Sequence, residues 1–162
     1  TTRVQTAEEM YEATSQAFKN SKLAILTAAV ADYQPEKYTD QKIKKSENGE
    51  PLSLKLVRTK DIAKSLGENK SPDQLLVGFA LETNNEEDNA RSKMARKNMD
   101  AIVLNSLKDE GAGFQHDTNR VTIFSNYGGK MEGDLKTKSE VASDLLNFLE
   151  VEFADFLSTE TK

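Results

Sequence analysis

Hydrophobic residues are grouped along the chain in short runs, separated by segments in which they recur at helical spacing. The runs predict strands at 23–31, 75–80, 101–104 and 121–124. The first two runs are almost unbroken, as is typical of strands buried on both faces of a sheet. Leu52, Leu54 and Leu56 alternate with polar residues, which predicts a further, half-exposed strand. A return strand is predicted after the turn at 126–129.

Helices are predicted between these strands. Thr6 and Glu9 form a capping box ahead of apolar residues at helical spacing, and Thr137 and Glu140 form a second one before a longer amphipathic segment. Shorter helices are predicted at 61–66 and from Asn84 or Asn85 to about position 98. Strands that alternate with helices indicate a mostly parallel sheet with helices on both faces.

Composition excludes several classes of protein. The 162 residues are enough for one domain with a core, and 36% hydrophobic with 30% charged residues is typical of a soluble globular chain. No apolar run approaches the roughly 20 residues that a membrane helix needs. Without cysteine, and with one histidine, neither disulfides nor a thiolate or histidine-rich metal site is expected. The net charge of −5 argues against nucleic acid, whereas local basic clusters favour a small anionic ligand.

The start of the chain differs from the usual start of a doubly wound domain. Such domains open with a strand, a glycine-rich turn and a helix. Here residues 1–5 resemble a strand remnant or a linker, and a helix follows. We therefore expect the sequence to be the C-terminal part of a longer protein.

Polar side chains follow several predicted strands, at the edge where α/β domains bind anionic ligands. Asp32 follows the first strand, where its carboxylate can accept a hydrogen bond from a base or ribose, or can serve as a turn or cap residue. Phe79 can stack on a base or belong to the core, and the polar run 82–85 behind it is richer than a helix cap requires. Asn105 can hold a polar substrate or form a turn.

Two groups of lysines accompany these residues. Lys42, Lys44 and Lys45 lie in a polar loop, where they can neutralise phosphates or form a solvated charge run. Lys93 and Lys97 share one face of a predicted helix, either towards a ligand or as ordinary basic residues near a helix C-terminus. For each of these residues taken alone, the structural alternative is a sufficient explanation. The order of these groups at successive strand ends favours a site for a nucleotide and a phosphorylated substrate.

Several phrases in this order resemble the synthetase domain of phosphopantothenate–cysteine ligase, which often forms the C-terminal half of the bifunctional coenzyme A biosynthesis flavoprotein. The similar phrases are AAVADY at 28–33, KIKK at 42–45, GFALETNN at 78–85, ARSKMARKN at 90–98, DAIVLNS at 100–106, GAGF at 111–114 and DTNRVTIF at 117–124. The resemblance covers nearly the whole chain, and the combination is more specific than any single glycine pattern.

The resemblance implies an α/β, Rossmann-like three-layer sandwich with a mostly parallel sheet and a dimerisation arm. It implies one synthetase domain over 1–162 without the N-terminal strand and glycine-rich segment. The family joins 4'-phosphopantothenate to cysteine in the cytoplasm: CTP, with Mg²⁺, activates the carboxylate as an acyl-cytidylate, and cysteine then displaces CMP. FMN is expected only if a decarboxylase domain is fused upstream.

The resemblance also assigns roles to residues. Lys42 would be the catalytic lysine, stabilising charge on the phosphates. Asn105 would face the pantothenate arm, and no residue is assigned to a metal. Lys60 stands where relatives often have proline, and the family's Ser-Ser-Gly-Lys-Met-Gly phrase does not occur. The nucleotide site would comprise Ala28, Ala29, Asp32, Lys42, Lys60, Asp61, Ile62, Ala63, Phe79, Lys93 and Lys97.

The region from Pro35 to Val57, called the arm below, is long and polar for an internal connection. With its alternating leucines it predicts a homodimer in which the arm crosses to the second subunit. Neither nucleic acid nor a membrane is an expected partner. The alternative function is a non-catalytic nucleotide-binding or dimerisation module, which a glycine-rich segment upstream would argue against.

Overall fold

The computed structural model describes residues 1–44, 51–106 and 117–157. The helices in these ranges are α1 (Ala7–Phe18), α2 (Ile62–Asn69), α3 (Glu86–Arg96), α4 (Lys138–Glu152) and α5 (Ala154–Leu157). The strands are β1 (Leu23–Leu26), β2 (Tyr33–Pro35), β3 (Leu56–Arg58), β4 (Leu75–Glu82), β5 (Ala101–Ser106), β6 (Thr118–Asn119), β7 (Val121–Ser125), β8 (Lys130–Glu132) and β9 (Lys136–Thr137).

A five-stranded sheet in the order β1-β4-β5-β7-β8 forms the centre of the fold. The strands β1, β4 and β5 are parallel, and β7 and β8 add an antiparallel hairpin to one side. Two small ladders, β2 with β3 and β6 with β9, lie outside this sheet. The fold is α/β with helices flanking a central sheet, as the alternation of strands and helices predicts.

Alternate residues of the central strands pack against helices on opposite faces. Leu76 and Ala80 of β4 belong to a core that also contains residues of α1, α2 and α3. Val77 of β4 and Val103 of β5 belong to a second core with the buried residues of α4. These two cores give the three layers that the resemblance implies. Side chains two apart on β4 therefore face the same helices.

Both predicted capping boxes are present. Thr6 Oγ1 accepts a hydrogen bond from the Glu9 amide at 3.1 Å, and the Glu9 carboxylate accepts one from the Thr6 amide at 3.2 Å. Thr137 and Glu140 repeat the arrangement at 3.3 and 2.9 Å. Asn85 occupies the N-cap of α3 in a left-handed conformation, but its side chain makes no capping hydrogen bond.

Two strand predictions are corrected. The strand predicted at 23–31 ends at Leu26, and it is half-buried because β1 is the edge strand of the described sheet. Leu52 and Leu54 lie outside any strand and are exposed. The regular structure begins only at Leu56, where β3 finds a partner in β2, because an extended segment needs a neighbour to pair its backbone groups.

Several parts of the chain lie outside the described residues: Lys45, the GAGF segment at 111–114 with Gly111 and Gly113, the single histidine His116, and the residues from Ser158 onwards. Within the described ranges, no helix has both the length and the apolar character needed to cross a membrane.

A buried carboxylate joins three elements at the amino-terminal edge of the sheet. Asp100, just before β5, is 7% exposed. Its side chain accepts hydrogen bonds from the Leu76 amide at 2.8 Å and the Asn126 side chain at 3.2 Å, and forms an ion pair with Lys70. The Asp100 carboxylate therefore ties β4, the segment after α2 and the β7–β8 turn to one another.

We expect Asp100→Ala to lower the free energy of unfolding by about 3 kcal/mol, because it leaves the Lys70 ammonium and the Leu76 amide buried without a partner. Urea denaturation followed by circular dichroism measures the loss. The matched control is Asp88→Ala on the exposed first turn of α3, which should stay within about 0.5 kcal/mol of the wild type. A loss below about 1 kcal/mol for Asp100→Ala would contradict the role given to this network.

The junction of α2 with the end of α3 depends on a glycine. A Cβ at Gly67 would collide with the carbonyl oxygen of Lys97. Asn98, with a φ of 50°, donates its side-chain amide to the Gly67 carbonyl at 2.7 Å. Only a residue without a side chain permits this approach, so Gly67 sets how close α2 lies to Lys97.

Gly67→Ala should destabilise the protein by about 1 to 3 kcal/mol, because α2 must move away from the Lys97 carbonyl. An unstrained helix would instead gain about 1 kcal/mol from this substitution. Glu68→Ala, one residue further on the exposed side of α2, is the control. Equilibrium unfolding measures the free energy of unfolding of both variants. A Gly67→Ala variant as stable as the wild type would show that position 67 does not pack tightly against the Lys97 carbonyl.

Candidate functional site

The carboxyl ends of the three parallel strands meet at one edge of the sheet. Residue pairing aligns Leu26 of β1 with Gly78 of β4, and Glu82 of β4 with Ser106 of β5. Ligands of open α/β sheets bind outside this edge. Of the residues singled out from the sequence, those at 28–32 follow β1, Phe79 and Asn105 lie within β4 and β5, and Lys93 and Lys97 lie on α3 and at its C-cap.

A carboxylate and two lysines come together here from two helices. Asp61 is the N-cap of α2, where its Oδ1 accepts a hydrogen bond from the Lys64 amide at 3.0 Å. The Lys97 ammonium lies 3.0 Å from Asp61 Oδ1 and 2.9 Å from Oδ2. One turn earlier on α3, Lys93 donates to the Phe79 carbonyl of β4 at 3.2 Å. Lys93 therefore reaches the backbone of β4 and Lys97 reaches the start of α2.

The charges in this cluster influence each other. Burial lowers the pKa of Lys93, the nearby Lys97 ammonium lowers it further, and the carboxylates of Glu82 and Asp61 partly compensate. Burial raises the pKa of Asp61, but the hydrogen bonds from Lys97 and the Lys64 amide outweigh it, so that the net shift is downward. The Lys93 and Lys97 ammonium groups lie close together, and Asp61 is paired with Lys97 alone. An added anion would therefore stabilise this site.

The backbone of the Asp32 loop is tied to the segment that precedes α2. The Thr59 amide donates to the Asp32 carbonyl at 3.0 Å, and the Thr59 hydroxyl donates to the Ala31 carbonyl at 2.6 Å. The Asp32 side chain is exposed, as are Ala28 and Ala29 in the same loop. Thr59 precedes Asp61 by two residues, so this loop and the start of α2 are neighbours. That Asp32 shares one pocket with Lys93 and Lys97 stays a prediction.

The segment 60–63 divides between a surface cleft and the core. Lys60 pairs with Glu8 of α1 at 2.6 Å and lies 4.3 Å from the ring centre of Tyr11, and the Glu8 hydrogen bond raises its pKa. Between α1 and α2 is a cavity of about 300 Å³, lined by Tyr11, Lys60, Asp61, Lys64, Ser65 and Glu68. The side chains of Ile62 and Ala63 pack in the core instead.

Two predicted residues lie on the opposite face of the sheet. The Phe79 side chain packs against the core shared with α4, although its carbonyl meets Lys93. Asn105 pairs with Leu81 of β4 in the register of the sheet, and its Oδ1 is buried without a hydrogen-bond partner among the described residues. An orphan acceptor of this kind is suited to a polar ligand group.

Within the described part of the chain, the side chains of Lys42 and Lys44 form no hydrogen bond or ion pair with the residues of this cluster. Lys42 and Lys44 are exposed. The arm is closed at its base by the Glu36–Lys55 ion pair and by a hydrogen bond from the Glu36 amide to the Lys55 carbonyl at 2.9 Å. That Lys42 acts on a ligand bound at the sheet edge stays a prediction.

Three residues that position the site were not singled out from the sequence. Thr59 fixes the Asp32 loop, Glu8 engages Lys60, and Gly67 sets the position of Lys97. Their contacts join segments far apart in the chain, so no local pattern reveals them. Glu82 differs, because the polar run 82–85 after a buried strand does mark it.

Comparison with known proteins agrees with this architecture. Residues 1–151 match the family described as DNA/pantothenate metabolism flavoprotein C-terminal domain. The chain is 53% identical over 143 residues to a cysteine/cysteine sulfinic acid decarboxylase from an unknown prokaryotic organism, covering 88% of this chain and 39% of that protein. It is 48% identical to the coenzyme A biosynthesis bifunctional protein CoaBC of Bacillus subtilis, covering 88% of this chain and 34% of that protein. The chain thus spans little more than a third of these relatives.

Solved structures give the same picture. A crystal structure of the C-terminal domain of CoaBC superposes with a TM-score of 0.75 at 38% identity, covering 95% of this chain and 66% of that one. A mutant of Cab2 in complex with phosphopantothenate-cysteine shares the fold, with a TM-score of 0.57 at 18% identity, covering 84% of this chain and 45% of that one. From the family match and these identities, the chain belongs to the family of DNA/pantothenate metabolism flavoprotein C-terminal domains, to which the synthetase domain of CoaBC belongs.

Proposed function

We propose that this chain is the nucleotide-binding portion of a phosphopantothenate–cysteine ligase, which activates 4'-phosphopantothenate with CTP and couples it to cysteine. The observation that carries the proposal is the Lys93–Lys97–Asp61 cluster at the carboxyl edge of the parallel strands. Two half-buried ammonium groups and the N-terminus of α2 offer positive charge where a polyphosphate can bind. Membership of the family supports the choice of reaction.

The reaction needs positioning and charge rather than an enzyme nucleophile. The substrate carboxylate attacks the α-phosphorus of CTP, the bond to the β-phosphate breaks, and pyrophosphate leaves. Lys93 and Lys97 hold the phosphates, and Lys42 stabilises the negative charge that grows on them during the displacement. The cysteine amine then attacks the acyl carbon, and CMP leaves. Asp32, Ala28 and Ala29 contact the base and ribose in this proposal.

The residues on the other face have complementary roles. Phe79 borders the nucleotide, and the buried Oδ1 of Asn105 receives a hydrogen bond from an amide or hydroxyl of the pantothenate arm. Lys60 and the backbone of 61–63 contact the nucleotide at the start of α2.

Magnesium fits this arrangement as a companion of the nucleotide. Within the described residues no group of three or more acidic or histidine side chains could hold a metal by itself. Mg²⁺ binds through substrate phosphates with one or two carboxylates, and Asp32 and Asp61 are the acidic side chains within the proposed nucleotide site. It would offset charge on the phosphates.

Partners of the longer protein are part of the proposal. The CoaBC relatives are described as bifunctional, so a decarboxylase domain fused to this segment, with FMN, remains proposed. No residue of this chain is assigned to FMN. The 53% identical relative is named a decarboxylase, but this chain matches only 39% of that protein. We therefore assign decarboxylation to no residue of this chain. The cytoplasm stays the predicted compartment.

The function is tested by a pyrophosphate-release assay on the full-length protein. The assay contains phosphopantothenate, cysteine and Mg²⁺, with either CTP or ATP. We expect continuous release only when phosphopantothenate, cysteine and a nucleotide are all present, a single turnover of release without cysteine, and a faster rate with CTP than with ATP. No release with either nucleotide, together with measurable nucleotide binding, would instead support a non-catalytic nucleotide-binding module.

Lys42→Ala should lower turnover in this assay by about 100- to 1,000-fold, because one preorganised charge is lost from the transition state. Stability should be unchanged, since Lys42 is exposed. Lys37→Ala, another exposed lysine of the arm, is the matched control and should retain wild-type turnover. Wild-type turnover of Lys42→Ala at saturating substrates would remove Lys42 from the catalytic step.

We further propose that the full-length protein is a homodimer held by the arm. Tyr38 is 89% exposed, Leu52 65% and Leu54 58%, and Ile43 is also exposed. Large apolar side chains concentrated on one segment mark an interaction surface. A second copy of the arm would cover them and would carry Lys42 towards the site of its partner.

Leu52→Ser with Leu54→Ser should shift the full-length protein from dimer to monomer in light scattering at micromolar concentration, because the apolar contact is removed. Leu146→Ser, an exposed leucine on α4, is the control and should leave the mass unchanged. A monomer mass for the wild-type full-length protein would refute the dimer, and a double variant that remains dimeric would place the interface elsewhere.

A further inference from the structure

We propose that Glu82 binds the ammonium group of the amine substrate and takes up its proton before amide formation. The inference rests on the proposed function, because it concerns the second half of that reaction. Glu82 lies within the phrase at 78–85, but the resemblance assigns it no role, and the proposed nucleotide site does not include it.

Glu82 lies where the two substrates must meet. It is the last residue of β4, at the carboxyl edge of the sheet, and it pairs with Ser106 in the register of β5. Ala80, two residues earlier, packs in the core shared with α3, so Glu82 faces α3 as well. Its contact with Asn89 of α3 confirms this direction. Lys93, one turn further along α3, extends towards β4 from the same side.

The partners of Glu82 leave its charge available. Asn89 donates its side-chain amide to Glu82 Oε2 at 3.4 Å, a long hydrogen bond from a neutral group. The same amide donates to the Asn84 carbonyl at 2.8 Å, which fixes Asn89 and restricts where Glu82 can lie. Across the described ranges, no lysine or arginine is within ion-pair distance of Glu82, whereas Asp61 is already paired with Lys97.

The chemistry requires such a group. The lysines of the cluster serve the phosphates, and a cationic amine placed among them would be repelled unless a carboxylate accepted it. Cysteine in water at neutral pH carries an ammonium group, which cannot attack a carbonyl until it loses a proton. Glu82, half-buried and without an ion-pair partner among the described residues, can bind that ammonium and act as the general base.

The step balances without a further reactant. One ammonium proton passes to the Glu82 carboxylate and then to solvent. The freed amine nitrogen forms a bond to the acyl carbon, the bond from that carbon to the phosphate oxygen breaks, and CMP leaves with the electron pair. The second amine proton is released to solvent as the amide forms.

The test separates the two half-reactions in the full-length protein. Pyrophosphate release with phosphopantothenate and CTP alone reports activation, and hydroxylamine, an uncharged nucleophile at neutral pH, traps the acyl intermediate without needing a carboxylate. For Glu82→Gln we expect both to stay within about twofold of the wild type, while kcat/KM for cysteine falls at least about 100-fold. Raising the pH should recover part of the loss, because more cysteine is then free amine.

Controls make the outcome specific. Asp88→Asn, six residues further along on the exposed first turn of α3, should leave kcat/KM for cysteine unchanged, and Glu82→Asp should retain part of it. Equal loss of activation and hydroxylamine trapping in Glu82→Gln would overturn the inference and place Glu82 with the nucleotide. An unchanged kcat/KM for cysteine would also overturn it. Absence of activation in the wild type would refute the proposed function itself.

Discussion

The parallel pairing of β4 between β1 and β5 is the constraint on which the site depends. It aligns the carboxyl ends of three strands, so that loops from distant parts of the sequence open at one edge. Because β4 is buried through most of its length, its register cannot slip by one residue without moving Leu76 and Val77 to the wrong cores. The position of Glu82, and of the Phe79 carbonyl that Lys93 binds, follows from that register.

Charge is balanced around this edge in a way that prepares it for an anion. Asp61 caps α2 and neutralises Lys97, so the cluster is stable without a ligand. Lys93 donates its hydrogen bond to a backbone carbonyl, and burial lowers its pKa. A polyphosphate would supply the negative charge that Lys93 lacks, and it would compete with Asp61 for Lys97. The close packing of Gly67 against the Lys97 backbone keeps this arrangement compact.

The two faces of the sheet edge divide the proposed reaction. Asp61, Lys93, Lys97 and Glu82 lie on the side of α2 and α3, where phosphate transfer and amine binding are placed. The side chains of Phe79 and Asn105 lie on the side of α4. A substrate lying across the strand ends would touch both sets, and the arm of a second subunit would close over it.

The sequence by itself determined the α/β class, both capping boxes, the helix face of Lys93 and Lys97, and the family, because these depend on local periodicity and on contiguous motifs. The tertiary structure decided where β1 ends and why Leu52 and Leu54 stay outside a strand. It also decided how the Asp32 loop and the Asp61–Lys97 pair are held. These features depend on strand partners and on contacts such as Thr59 with Asp32 and Gly67 with Lys97. Such contacts join residues 27 and more positions apart, and no local pattern encodes them.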